Sequence, residues 1–183
     1  RTDDWVSIRG GKGVFISADI QPQAQGQMLE MDDAILQLEQ ALTLARSMAK
    51  AAISAKATQG DVGSQQRLNA SLSDLTAPGM LLHAPEGIGM VSARTLRIAS
   101  GSESVGIMSG DNTDISAGQS FTVAAGEAVS LLANKQGMQL LAAKGEVNIQ
   151  AQSDALSVSA QKDLEIQSCE GPVTVSAHQE LVL

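Results

Sequence analysis

The sequence predicts a mainly β fold: a trimeric, intertwined triple-stranded β-helix, or prism, that carries an inserted helical segment. From Met80 onwards, large apolar residues recur in pairs every eight or nine residues. The members of a pair stand two positions apart, and Ala or Ser follows two positions after the second. This alternation is typical of a β-strand. Aromatic residues make up only 2% of the 183 residues. This content is too low for an ordinary globular core but suits a thin fibre lined with aliphatic side chains.

The block 80–183 consists of thirteen such repeats, which are numbered here from Met80. Polar residues and Gly separate the repeats, for example at 101–104 and 126–127, and these residue types favour turns. We therefore expect the chain to bend after each five-residue strand, with the paired apolar residues inward and the intervening polar residues in water. The repeats begin at Met80, Ile88, Leu96, Val105, Thr113, Phe121, Val129, Met138, Val147, Leu156, Leu164, Val173 and Leu181.

Two arrangements could bury these inward faces. A single-chain roll of strands this long normally closes its turns on calcium through a Gly-Gly-x-Gly-x-Asp signature, which the sequence lacks. Residues 110–114 form an acidic turn, but one such turn does not make a calcium array. In the alternative arrangement, three chains each supply one strand per face in rotation, and main-chain hydrogen bonds run between chains. We favour this three-chain prism.

Residues 1–20 are predicted to form the first turns of the β-helix. Val6 and Val14 begin two repeats of the same kind, eight residues apart. The segment 10–13 between them, Gly-Gly-Lys-Gly, has the Lys of a phosphate-binding loop but lacks the earlier Gly and the following Ser or Thr. It is interpreted as a tight turn.

Residues 21–79 are predicted to be a helical insertion, and 80–183 the β-helical needle. Apolar residues spaced alternately by three and four predict a helix over 28–58 that Gly60 stops, with acidic residues near its start and Lys50 and Lys56 near its end. A second helix is expected over 64–75, with Leu68, Leu72 and Leu75 on one face. The first helix's seam consists of Met28, Met31, Ile35, Leu38, Leu42, Ala45, Ala49 and Ala52.

The packing of this insertion has two possible solutions at the sequence level. The helices could form a surface hairpin laid along the fibre, or a central three-helix coiled coil. The surface hairpin is favoured over the coiled coil. Met28, Met31 and Met48 are interpreted as residues that fill the seam, since Met adapts to irregular gaps, and not as ligands.

The sequence predicts no catalytic, cofactor-binding or metal-binding residues, and no enzymatic activity. His83 and His178 stand far apart without Cys or carboxylates at zinc-ligand spacing. The single Cys169 excludes a disulfide within the chain and is expected to be an unreactive thiol in a turn. A net charge of −8 argues against nucleic acid. Neither a membrane-spanning run nor a signal peptide is predicted.

Residues 3–18, Asp-Asp-Trp-Val-Ser-Ile-Arg-Gly-Gly-Lys-Gly-Val-Phe-Ile-Ser-Ala, followed by the insertion and the repeats, closely resemble the C-terminal, DUF2345-type region of VgrG. VgrG is the valine–glycine repeat spike of the bacterial type VI secretion apparatus. The resemblance implies a trimeric β-helical needle that is structural and non-enzymatic, punctures target envelopes and delivers effectors. It also implies that the chain is part of a longer protein, whose N-terminal hub-like portion contacts the tube and baseplate.

The resemblance further implies tip or effector proteins at the C-terminal end, and mechanical passage through membranes in place of stable insertion. The protein would stand in the bacterial cytoplasm before firing and then pass into the target cell envelope. Two alternatives belong to other classes: a phage-type tail fibre or an adhesin stalk that binds surface glycans. A glycan-binding fibre would need exposed aromatics in a groove, and the chain has no Tyr and one Trp.

Overall fold

The computed structural model describes residues 6–20, 30–73 and 77–182. The chain divides into two compact bodies, Arg1–Gly137 and Met138–Leu183. In chain order the elements are β1 (Val14–Ser17), α1 (Asp32–Ser54), α2 (Val62–Ser73) and β2 (Met80–His83). Both helices thus lie between two strands, while the predicted domain boundaries at residues 20 and 79 remain a prediction. Within the described residues, neither helix is long and apolar enough to cross a membrane.

Helix α1 is shorter than predicted. Asp32 and Asp33 occupy its first turn, where negative charge stabilises the helix dipole. The predicted start at Met28 lies outside the described residues. The helix ends at Ser54, so the prediction that it continues to residue 58 and stops at Gly60 was wrong, and its last turn contains no basic residue.

The end of α1 is a hydrogen-bonded cap built around Lys56. This residue adopts a left-handed conformation with φ of 56°, the position that Gly usually takes after a helix. The Ala57 N–H donates to the Ala52 carbonyl at 2.8 Å, and the Lys56 N–H to the Ile53 carbonyl at 3.0 Å. These two bonds form a Schellman motif, which satisfies the last carbonyls and turns the chain before Gly60.

Helix α2 begins two residues before its predicted start, because Asp61 caps it. The Asp61 carboxylate accepts a hydrogen bond from the Ser64 N–H at 2.9 Å, the geometry of an N-cap. Of the predicted apolar face, Leu72 is buried, whereas Leu68 is exposed and Leu75 lies outside the described residues. The buried Asn69 lies on the packed side instead, where its amide donates to the Leu38 carbonyl of α1 at 2.7 Å.

Strands β1 and β2 pair in parallel and support one end of the helical hairpin. Phe15 is the register partner of Leu81. Both side chains pack with Met31, Ala34 and Leu72 in the hydrophobic core of this body. Because alternate strand residues face opposite sides, Leu81 points towards the helices while its neighbours Met80 and Leu82 are exposed. The outward face, predicted to be solvated, is therefore covered by helices at repeat 1.

After β2 the chain bends at the predicted turns. Bends recur every eight or nine residues, which confirms the period and the turn positions read from the sequence. Within described residues 84–182, no strand pairs with another part of the same chain. The bends are centred on residues 85–86, 93–94, 101–103, 110–111, 118–119, 126–127, 134–136, 143–145, 152–154, 161–162, 169–171 and 178–179.

Leu72→Ala should loosen the hairpin. Leu72 is 6% exposed, and Gly79 lies so close that an added Cβ there would stand 2.9 Å from Leu72 Cδ2. Removing a side chain from such a site costs about 2–5 kcal/mol, since transfer and cavity terms add. Leu68→Ala, at a site 49% exposed, should cost on the order of 0.5 kcal/mol. Thermal melts of the helical circular dichroism signal measure both, and equal midpoints would contradict the packing.

Candidate functional site

The most extensive feature of the described residues is an exposed apolar ladder. Its inward large apolar side chains, from Met80 of repeat 1 to Leu181 of repeat 13, are each between 48% and 72% exposed. The property holds in both bodies of the chain, each taken by itself. Contiguous apolar surface of this extent is rare on monomeric proteins and marks an interaction surface. The ladder is therefore a candidate interaction surface.

The helical hairpin contacts every third repeat of the ladder. Leu81 of repeat 1 packs in the core cluster with both helices. Residues 104–111, which contain repeat 4, line a cavity with α1. Ser130 of repeat 7 accepts a hydrogen bond from the Thr58 N–H at 3.2 Å. In the described residues, no hydrogen bond joins repeats 2, 3, 5 or 6 to the helices.

Helix geometry gives the spacing between these repeats. Helix α2 rises about 12 Å between Ser64, beside repeat 4, and Leu72, beside repeat 1. Helix α1 rises about 30 Å between Ala34, beside repeat 1, and its end at Ser54, shortly before Thr58 and repeat 7. Each repeat therefore advances by about 4–5 Å, close to the roughly 4.8 Å between paired strands.

Successive repeats that contact the hairpin are too far apart to pair with each other. Repeats 1, 4 and 7 are three strand spacings apart, or about 14 Å. Within described residues 84–137, no main-chain hydrogen bond joins one repeat to another. Unpaired main-chain groups along a strand edge favour pairing with another chain.

Asp61 joins α2 to the ladder. One carboxylate oxygen caps α2, and the other accepts a hydrogen bond from the Ser104 hydroxyl at 2.7 Å. Arg67 of α2, six residues after Asp61, forms an ion pair with Glu103 at 2.9 Å. The hydrogen bonds from the Ser104 hydroxyl and then the Ser64 N–H hold the pKa of Asp61 below its ordinary value. This junction fixes the hairpin on the turn before repeat 4.

A second polar junction lies where β1 and β2 end. His83 Nδ1 and Asp19 Oδ2 are 2.9 Å apart, and the His83 side chain is only 10% exposed. The Ser17 hydroxyl donates to the same carboxylate, and the Asp19 N–H donates to Ser17 Oγ at 2.9 Å. The Ser17 bond, and then the His83 bond, hold the pKa of Asp19 below its ordinary value. The Ser17 hydroxyl bonds Asp19, not the histidine, so this is not the order of a catalytic triad.

Acid should loosen both junctions. A carboxyl whose folded-state pKa is depressed contributes stability that is complete above its unfolded pKa, 3.8 here. That contribution is lost as the pH falls through the folded-state pKa. We expect the melting temperature of the helices to decrease once the pH drops below about 4. The decrease should be smaller in Asp61→Asn, whose side chain at this position cannot be protonated. Asp163→Asn, at an exposed carboxylate outside the junctions, is the control; identical acid profiles of parent and Asp61→Asn would contradict the assignment.

A cavity of about 640 Å³ lies between the hairpin and the ladder. On the helical side it is lined by an apolar stripe of α1: Leu44, Ala45, Met48, Ala49 and Ala52. On the ladder side it is bounded by residues 104–111 of repeat 4 and by Leu132 of repeat 7. We call this cavity the hairpin groove. It occupies the space between repeats 4 and 7.

The residues that the sequence analysis considered for catalysis, phosphate binding or metal binding do not come together in one site. His83 binds Asp19, whereas His178 is exposed. Cys169 is exposed with a free thiol. Residues 10–13 form a turn in which the Gly13 N–H donates to the Gly10 carbonyl at 3.2 Å. In the part of the chain that the structure describes, no three His, Cys, Asp or Glu side chains cluster as metal ligands, residues 110–114 included.

Sequence reasoning missed the two junctions and the hairpin groove. Asp19 and His83 are 64 residues apart, and Asp61 and Ser104 are 43 apart, so no local pattern shows the pairs. Repeats 1, 4 and 7 place the large apolar residues Leu81, Met108 and Leu132 at outward positions against the hairpin. Repeats 2 and 8 carry Val91 and Leu141 at outward positions as well, so this pattern alone does not locate the groove.

Two family models match the chain, one on each side of the connection between α1 and α2. The sequence model of a family described as "Uncharacterized protein conserved in bacteria (DUF2345)" matches residues 67–183. A second, described as "Putative type VI secretion system Rhs element Vgr", matches residues 1–52. Two curated relatives of Pseudomonas aeruginosa, the type VI secretion system spike proteins VgrG2a and VgrG2b, are each 26% identical over 179 residues. These matches include 91% of the chain but only 21% and 18% of the relatives' own lengths.

Two solved structures superpose on the whole chain. One is described as the VgrG spike from the type 6 secretion system, and the other as the Tle1 effector bound to that spike. Both are 81% identical to the chain, with a TM-score of 0.98. The chain spans 69% of the first solved chain and 56% of the second.

Proposed function

Because the chain belongs to the VgrG spikes of the type VI secretion system, its residues 67–183 forming a DUF2345 region, we propose that it is the needle portion of such a spike. Three copies wind into a β-helical prism at the tip of the contractile apparatus. The prism punctures a target envelope and carries effectors across it. Its role is mechanical and does not require catalysis by the chain.

The observation that carries this proposal is the unpartnered apolar ladder. Inward side chains that are 48–72% exposed in one chain need partners of the same periodicity. Contacts of the hairpin with repeats 1, 4 and 7 leave room for two further strands per turn on each face. Two additional copies of the same chain supply these strands in register, because every copy repeats at the same rise. The prism would bury the ladder and pair its main chain at once.

The same proposal includes the passage of the protein and its partners. The needle starts in the bacterial cytoplasm and is transferred with the apparatus to the target cell. Portions of the longer protein that precede this region would contact the tube and baseplate. The solved complex in which a Tle1 effector is bound to a VgrG spike supports a similar cargo here, since that spike is 81% identical over the full chain. We propose that the needle binds an effector of the Tle1 class.

The mass of the purified particle tests the assembly. Light scattering coupled to size exclusion should give three times the chain mass of 18.9 kDa. A particle with the mass of one chain would overturn the prism.

Fractionation of a culture tests the role in secretion. The spike should appear in the medium of contraction-competent cells and stay inside an otherwise identical strain whose sheath cannot contract. Retention on the cell surface of both strains would instead indicate a stalk or adhesin. The proposed cargo is tested by measuring how a purified Tle1-class effector binds the assembled particle. The comparison is Ile149→Asp, which is expected to be a monomer.

A further inference from the structure

We infer that the helical hairpin is a clasp between subunits: the hairpin groove of one chain holds repeats 5 and 6 of the two other copies. The inference rests on the proposed trimer and goes beyond it, since it assigns an occupant to the groove. The occupant is a second and a third copy of this chain.

The rise of the repeats places repeats 5 and 6 of the other copies in the groove. Each repeat advances by about one strand spacing, so in a threefold assembly repeat n of every copy lies at the same level. The face beneath a hairpin then contains repeat 1 of its own chain, repeats 2 and 3 of the others, its own repeat 4, repeats 5 and 6 of the others, and its own repeat 7. The groove lies between residues 104–111 and Leu132, which is the interval of repeats 5 and 6.

The side chains of repeats 5 and 6 suit the groove. Their outward positions are Asp114, Ser116, Thr122 and Ala124, three of which are small. Small residues allow a close approach to the Ala-rich stripe of α1, which is formed by Ala45, Ala49 and Ala52. Asp114 is charged, and α1 carries the exposed basic residues Arg46 and Lys50 beside the stripe. Shape and charge therefore agree with the occupant.

Val91 of repeat 2 supports the same arrangement. It stands at an outward position of repeat 2, where polar residues are expected, and its side chain is 96% exposed in the single chain. Repeat 2 of one copy lies beneath the hairpin of a neighbour, between that neighbour's repeats 1 and 4. A neighbouring hairpin would cover Val91, much as each hairpin covers Leu81 of its own chain.

Disulfide cross-linking between different chains tests the clasp. In a Cys169→Ser background, one tagged chain carries Met48→Cys, and a co-expressed untagged chain carries Ser116→Cys or Ala124→Cys. Each chain then has one cysteine, so a tagged–untagged disulfide can form only between copies. Cysteines cross-link when their Cα atoms come within about 7 Å. Ser47→Cys is the matched control, because Ser47 is exposed on α1 and does not line the groove.

The expected result is a reducible band of two chain masses for Met48→Cys with at least one of the two partners, at tenfold or more the yield of Ser47→Cys. A particle that keeps the trimer mass but cross-links Met48→Cys no better than Ser47→Cys would overturn the clasp and leave the proposed function standing. A parent with the mass of a monomer would overturn both.

Discussion

Ile149→Asp is expected to leave the protein as a monomer, whereas Gln150→Asp, one residue away, should assemble like the parent. Ile149 is the second large apolar residue of repeat 9 and is 64% exposed in the single chain. In the proposed prism, three copies of it meet near the axis. The lost burial alone is worth about 1.5–3 kcal/mol per chain. Three carboxyl groups in a dry core add several kcal/mol more through desolvation.

Gln150 is a matched control because, in the proposed prism, it lies on the opposite face of the same strand, among outward residues such as Asn148. Surface substitutions of this kind usually change stability by about 0.5 kcal/mol or less. Light scattering of both variants beside the parent measures the outcome. Equal masses for the two variants would show that the inward face has been assigned to the wrong residues. In the secretion assay, Ile149→Asp should be retained in the cell.

The period of the ladder could be predicted because it depends on residues that are close together in the sequence. Each turn has its own Gly and polar residues, and each strand its own alternation, so the bends appear where the sequence places them. Strand pairing could not be checked in the same way. In the proposed assembly the hydrogen-bonding partner of each repeat belongs to another copy, which agrees with β1–β2 being the single strand pair among the residues that the structure describes.

The errors at the helix ends have a physical cause. Gly60 is the residue that sequence rules choose as a helix stop, because Gly adopts positive φ without strain. Lys56 took that conformation instead, and two main-chain hydrogen bonds to Ala52 and Ile53 hold it there. For α2, the Asp61 cap moved the start forward to Val62. Short-range rules identified both helices but not which of several permitted residues would end or begin them.

The site was the least predictable part, because its contacts are long-range. A lone acidic residue before a helix is an ordinary cap, and nothing near Asp61 in sequence indicates Ser104 as a second partner. Similarly, the sequence predicts no metal site at His83, but it gives no sign that His83 joins Asp19 across the end of the β1–β2 pair. The parallel pairing of β1 with β2 brings Asp19 to His83, and the contact of α2 with the turn before repeat 4 brings Asp61 to Ser104.

Replacing residues 23–77 with a Gly/Ser bridge is expected to remove all helical signal while the ladder still assembles. Ser17 and Met80 lie at opposite ends of a parallel pair, so the bridge must run back along the strands, and such a connection needs about a dozen residues. The inward faces are unchanged, so the particle should have the mass of three shortened chains. Its melting midpoint should fall markedly, since the cover of Leu81 alone is worth about 1.5–3 kcal/mol per chain.

Circular dichroism and light scattering of the shortened chain decide between the two packings of the helices. A chain that keeps residues 23–77 and carries the same Gly/Ser segment inserted after Ala77 controls for the linker. If the hairpin lies on the outside as a clasp, the shortened chain forms a less stable trimer that still contains the β-helix. If only unfolded monomer is recovered, the helices are needed to nucleate the trimer, as a central coiled coil would be. The contacts of α1 and α2 with repeats 1, 4 and 7 favour the first outcome, because a hairpin bound along one face cannot also lie on the threefold axis.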